Sequence, residues 1–158
     1  MRLLRGFLSP VEVAELGALD GEWLPGRQGT GYDKLPLRER LADHPAVLRA
    51  RTVLVPHEDL WDVYVIRYLD GAHVPDHVDA AEAGKRHLRI NAILGAPKSG
   101  GELRIGGVLV ELSIGDAVLF EPDREVHHVT PVVGTRVVFS VGAWISEKSS
   151  SASSLTTP

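Results

Sequence analysis

The residues able to do chemistry are unevenly spread along this sequence. Seven histidines fall at positions 44, 57, 73, 77, 87, 127 and 128, and the last five lie beyond residue 70, in the part of the chain rich in strand-forming residues. His77-Val78-Asp79 sets an imidazole and a carboxylate two residues apart. On an extended segment such side chains project to the same side, so both can reach one ion. A second imidazole is offered much further along by His127-His128. Two imidazoles and one carboxylate on a single face of an ion suit a non-haem ferrous centre, whose other coordination positions stay open. The histidine-aspartate pair is also a commonplace of protein surfaces. His73 and His87 take that plain reading.

These side chains need rigid elements to position them. From residue 62 onward the chain is rich in β-branched and aromatic residues, in runs at 62–68, 87–94, 102–105, 108–112, 117–120, 126–133 and 136–145. Glycine-containing turns separate them, so seven or eight short strands are predicted, in a sandwich, jelly roll or barrel. Ahead of them, Ser9-Pro10-Val11-Glu12 reads as a helix start: Ser9 as N-cap, Pro10 at the first helical position and Glu12 closing a capping box. That helix should end between Gly17 and Asp20. A second helical pattern covers 37–53 through Leu37, Leu41, Val47 and Leu48, with Pro45 starting a new segment because it lacks the N–H of an interior helix bond. Between the two helices, residues 26–34 are polar and glycine-rich, a lid over a site or a plain connector.

The length of 158 residues suits one domain, assigned to 1–146. The Ser/Thr-rich stretch 147–158 has almost nothing apolar to bury and is expected to be a disordered tail. With no cysteine, the fold must stand on burial alone, and a domain of this size buries roughly 70% of its unfolded surface. Arg2 and Arg5 flank only an interrupted apolar patch, so neither a signal peptide nor a spanning segment is read, and a soluble, cytoplasmic protein is expected. The formal charge of −4 is spread without a basic stripe, which argues against nucleic acid as a partner. Oligomeric state is left open.

Around the candidate ligands, several motifs stand in order. Tyr68-Leu-Asp-Gly71 precedes His77-Val-Asp79; Gly100-Gly-Glu-Leu-Arg-Ile105 and Gly115-Asp-Ala-Val-Leu-Phe120 follow; His127-His-Val-Thr-Pro-Val132 and Arg136 close the series. In this the sequence resembles the Fe(II)/2-oxoglutarate-dependent oxygenases of the prolyl 4-hydroxylase-like group, from about residue 62 to 144. The resemblance implies a mainly β, double-stranded β-helix (jelly roll) with N-terminal helices packed on one sheet. It implies Fe(II) held by His77, Asp79 and His127, since His127 keeps the register with Val129, Pro131 and Arg136 that His128 shifts by one.

By the same resemblance, Arg136 binds the distal carboxylate of 2-oxoglutarate, a task for which a guanidinium's paired donors are suited. Tyr68 assists it, and Tyr64, on the same strand face, is a further candidate. A position near Ile93 where the family often carries another tyrosine is apolar here. His87, Arg89, Asn91 and Ile93 share one strand face by alternation. Arg89 and Asn91 are therefore candidate contacts to the primary substrate, an amino acid-like small molecule or a peptidyl residue. The implied reaction consumes 2-oxoglutarate and O2, releases succinate and CO2, and hydroxylates an unactivated C–H bond. The carboxylate of Asp79 favours hydroxylation over halogenation, and leaves desaturation or ring closure open. Rival readings are a cupin-type metalloenzyme, which usually brings more histidines and a glutamate in its first motif, and a non-catalytic metal-binding jelly roll.

Overall fold

A computed structural model of the chain describes residues 1–54, 61–81 and 83–146. The expected tail, 147–158, lies outside the described residues. The elements run β1 (Arg2–Leu4), α1 (Pro10–Gly17), β2 (Leu24–Pro25), β3 (Tyr32–Pro36), α2 (Pro45–Leu54), β4 (Trp61–Tyr68), β5 (Val74–His77) and β6 (Lys85–Gly95). They continue with β7 (Ser99–Gly100), β8 (Leu103–Ile105), β9 (Val108–Leu109), β10 (Ala117–Phe120), β11 (His127–Val129), β12 (Val132–Val133) and β13 (Arg136–Ser146). A seven-stranded sheet, in the order β1-β10-β6-β13-β4-β3-β2, faces a four-stranded sheet, β5-β11-β8-β9. The pair β12-β7 closes one end. All pairings are antiparallel, and the fold is the double-stranded β-helix.

Side-chain alternation explains the layering. On β6 and β13, Ile90, Ala92, Phe139, Val141 and Ala143 point to one side and pack under Leu16 of α1 and Val47, Ala50 and Leu54 of α2. The intervening residues point between the sheets, where Ile93 and Val138 meet Leu103, Ile105 and Val129 of the small sheet. Because both faces of β13 are covered, its sequence is an almost unbroken apolar run rather than a simple alternation. Helix α1 begins as its sequence predicts. Glu12 N–H donates to the Ser9 hydroxyl, and the Ser9 N–H donates to the Glu12 carboxylate at 2.8 Å. Arg49 of α2 donates to that carboxylate and to Phe7 O, tying the two helices together. Among the described residues, no helix is long and apolar enough to cross a membrane.

Three expectations are corrected, and residues 26–34, read as a lid or a connector, acquire a structure. The helix expected over 37–53 is only Pro45–Leu54. Residues 38–43 form turns, yet Leu37 and Leu41 still reach the core through a single loop closed by Leu41 N–H to Leu37 O. The strand expected at 126–133 is split into β11 and β12 by Thr130-Pro131, since proline cannot donate to a ladder. The strand expected at 108–112 is Val108–Leu109 alone. The stretch 26–34 is part of a hairpin: β2 and β3 pair, and β3 extends the large sheet beside β4.

The Gly-Gly-x-Leu motif also acquires a physical reason. Gly100 has φ +65°, and a Cβ there would stand 2.1 Å from Pro131 O, so only glycine lets β7 lie against β12.

Candidate metal and co-substrate site

Sheet register brings the distant ligand candidates together. His127 of β11 lies directly opposite His77 of β5, and the ring centroids are 4.2 Å apart. Asp79 follows just past the end of β5, where its N–H donates to Pro122 O at 2.7 Å. One donor atom from each of His77, Asp79 and His127 can be chosen so that all lie within 4.8 Å of one another. Both histidines are prepared for the same task. His77 Nδ1 is 2.9 Å from Pro75 O, and His127 Nδ1 is 2.9 Å from Glu125 O. A carbonyl only accepts, so the proton sits on Nδ1 and the lone pair on Nε2, as in metal-ligating histidines.

Burial lowers the His127 pKa, against the opposing pull of the Glu125 carbonyl, and so favours the neutral ring a metal requires. Phe120 packs its ring edge-on against His127 at 5.2 Å. This donor set fits a ferrous ion. His128 points elsewhere: its Nδ1 bonds Asp76 Oδ1 on the outer surface.

The same cavity is also lined by Arg136, 5% exposed and directly across the ladder from Tyr68. Its guanidinium carbon is 5.0 Å from the Tyr68 ring centroid, and it hydrogen-bonds the Tyr68 side chain. No carboxylate among the described residues pairs with it. Burial pushes the Arg136 pKa down and the Tyr68 pKa up, and each partner partly offsets the other's shift. A buried guanidinium without an anion is costly, and a cavity opening onto it is where an anionic ligand would be stabilised most. Tyr32 of β3 stacks on Tyr68 at 5.4 Å.

Tyr64 does not stand beside Arg136. It lies two pocket-facing positions further along β4, with Lys34 Nζ 5.0 Å and the Arg89 guanidinium 6.0 Å from its ring centroid. Arg89 and Asn91 line the cavity, as alternation predicts. Arg89 is already engaged: it donates to Ser140 Oγ at 2.8 Å and to Asp62 Oδ2 at 3.0 Å. Asp62 Oδ1 in turn accepts from the Gly142 N–H. A Cβ on Gly142 would stand 2.6 Å from Arg89 Nη2 and 2.7 Å from Asp62 Oδ1. Gly142→Ala should therefore displace this pair and destabilise the fold by about 1–3 kcal/mol through overpacking. Thermal melts of the two proteins would read that difference.

His87 corrects the plain surface reading. It is 2% exposed, lines the cavity, and stacks on Trp144 with centroids 4.5 Å apart. Burial, with the neighbouring Arg89 charge, pushes its pKa down to about 3, so the ring is neutral. Arg89 Nη2 lies 3.1 Å from Nε2 and can only donate, which leaves the proton on Nδ1. That Nδ1 is buried without a hydrogen-bond partner, 3.5 Å from Asp79 Oδ2. His77 Nε2 lies 3.5 Å from the other oxygen of that carboxylate, Oδ1, so the two histidines flank Asp79 through different oxygens. His87→Phe keeps the stack on Trp144 and removes the Nδ1–H group. Fe(II) titration should then show affinity weakened by about tenfold, the low end for an outer partner of a metal ligand.

Sequence reasoning offered 26–34 as a lid or a connector but singled out none of its four cavity-lining residues, Arg27, Gln28, Tyr32 and Lys34. The signal for two of them was the Tyr32-x-Lys34 alternation, masked by the glycines before it and by Pro36.

Comparison with known proteins agrees with this geometry. The family model described as the 2OG-Fe(II) oxygenase superfamily matches residues 63–146. No curated protein matches the chain. Among solved structures, a Pseudomonas putida prolyl-4-hydroxylase is 21% identical, with TM-score 0.69, over 92% of this chain and 91% of that one. The viral collagen prolyl hydroxylase of Paramecium Bursaria Chlorella virus-1, solved as a 2OG complex, is 20% identical, with TM-score 0.66, over 90% and 94%. EvdO2 from Micromonospora carbonacea var. aurantiaca, complexed with 2-oxoglutarate, is 20% identical, with TM-score 0.70, over 91% and 85%.

Proposed function

We propose, from the premise that the chain belongs to the 2OG-Fe(II) oxygenase superfamily, that it hydroxylates an unactivated C–H bond of a small amino acid-like molecule or a peptidyl residue. Membership makes the protein a 2-oxoglutarate-dependent dioxygenase whose cofactors are Fe(II), 2-oxoglutarate and O2, and displaces the cupin alternative. The observation that carries the residue assignment is the convergence of two imidazole lone pairs and a carboxylate in one cavity with a buried, anion-less guanidinium. In this reading His77, Asp79 and His127 hold the iron. Arg136, with Tyr68, takes the distal carboxylate of 2-oxoglutarate.

When bound, the iron and the keto acid supply the oxidising chemistry, with succinate and CO2 as co-products. The chain's own residues supply geometry. Pro75 O and Glu125 O fix the imidazole tautomers and ring orientations. Phe120, Val74 and Val129 line the cavity with apolar surface that limits water around the ligands. Arg136 would hold the distal carboxylate of the co-substrate and so restrict the orientations open to the rest of that molecule in the cavity. Asn91 Oδ1, buried without a hydrogen-bond partner, is free to accept from the primary substrate.

An anaerobic titration tests the reading. Adding Fe(II) and then 2-oxoglutarate should produce the visible charge-transfer band of the chelate. A panel of amino acids, peptides and metabolites, scored by succinate formed and by product mass, then identifies the substrate. If the intact protein never develops the band, the proposal is wrong.

A further inference from the structure

The cavity has an uneven charge balance, which deepens the reading above and rests on it. Four basic side chains line it, Arg27, Lys34, Arg89 and Arg136, against two carboxylates, Asp62 and Asp79. Each known claimant can be matched. In the proposed complex Arg136 is balanced by the distal carboxylate of 2-oxoglutarate. The two charges of Fe(II) are balanced by Asp79 and the carboxylate next to the keto group. Arg89 is balanced by Asp62, whose two oxygens are already taken by Arg89 and the Gly142 N–H. Arg27 and Lys34 are left over.

Neither has an ion-pair partner among the described residues. Asp33, the acid nearest Lys34 in sequence, projects to the opposite side of β3 and pairs with Arg67 at 3.1 Å. Lys34 is half-buried, its Nζ 5.0 Å from the Tyr64 ring centroid. Burial lowers its pKa. The repulsion of Arg27 and of Arg89 each outweighs the attraction of Asp62 or Asp79. A chain with a surplus of acids overall has thus concentrated unpaired bases on one hairpin wall of its cavity. Such a field draws in and orients an anion.

We propose that Lys34 and Arg27 form an anion-binding subsite in the wall of the pocket, and that the primary substrate carries a carboxylate or phosphate which docks there. Arg89 is then not the substrate clamp. It is held by Asp62 and Ser140 and braces His87 instead. The same substrate offers an N–H or O–H to Asn91 Oδ1, the buried acceptor in the same cavity.

The test uses the whole chain loaded with Fe(II) and 2-oxoglutarate under anaerobic conditions, at constant ionic strength. Inorganic phosphate and acetate are each titrated calorimetrically, so that the two arms distinguish the anionic groups. Saturable binding of at least one is expected for the wild type. It should weaken tenfold or more in Lys34→Glu and in Arg27→Glu, the latter at an exposed position that folding tolerates. Arg2→Glu, the same charge change on β1, should bind as the wild type does. Binding of neither anion by the wild type, or equal binding by both pocket variants, overturns the inference. The chelate band of the wild type separates the two levels. A band without anion binding refutes only the subsite, whereas its absence refutes the oxygenase assignment and the subsite with it.

Discussion

Asp79→Ala is expected to abolish turnover and to weaken Fe(II) binding by more than about 100-fold, beyond the tenfold to 100-fold typical of losing a mere outer partner of a ligand. The carboxylate is the only anionic member of the triad. Without it, two neutral imidazoles remain, and nothing in the set offsets the charge of the ion. The fold should survive, because the Asp79 N–H bond to Pro122 O belongs to the backbone and is kept. Thermal melts of the metal-free proteins should therefore nearly coincide, while the chelate band disappears. A band of undiminished strength in the variant would remove Asp79 from the ligand set. His128→Ala is the matching control: its side chain faces Asp76 on the outer surface, and the band should stay.

Arg136→Met should separate co-substrate binding from metal binding. Truncating one partner of a buried, hydrogen-bonded charge pair costs about 2–5 kcal/mol. The 2-oxoglutarate concentration needed for half-maximal formation of the band should accordingly rise roughly 30-fold or more, while Fe(II) affinity changes little. The metal-free variant should not be less stable, since methionine replaces a buried charge that has only the Tyr68 side chain for a partner. Unchanged 2-oxoglutarate dependence would show that the distal carboxylate binds elsewhere.

Much of this site is written in local patterns. The His77-x-Asp79 spacing works because two residues apart on an extended segment means the same side, and β5 is extended up to His77. Alternation likewise sorted β6 into a core face, with Ile90 and Ala92, and a cavity face, with Arg89 and Asn91. The capping box of α1 is local chemistry and reads directly. What local pattern lacks is burial, which is decided by partners far along the chain. His87 looks like any histidine beside charged residues until Trp144 of β13 covers it. The turn at 38–43 defeated the helical pattern because Leu37 and Leu41 satisfy the core without a continuing helix. Strand β3 was hidden by its own composition, since charged Asp33 and Lys34 sit where the sheet edge and the cavity allow them to be partly solvated.

The β2–β3 hairpin has a consequence for anyone who would re-engineer this protein. One short element carries Lys34 and Arg27 into the pocket wall, and Tyr32 against the tyrosine that holds Arg136. If Lys34 and Arg27 dock the substrate and Arg136 the co-substrate, as proposed, then substrate choice and co-substrate affinity are mechanically linked through this one hairpin. Grafting a relative's hairpin to alter selectivity will shift the 2-oxoglutarate requirement in the same stroke. Variants selected for a new substrate should be screened at several co-substrate concentrations, or improved binders will be discarded as inactive.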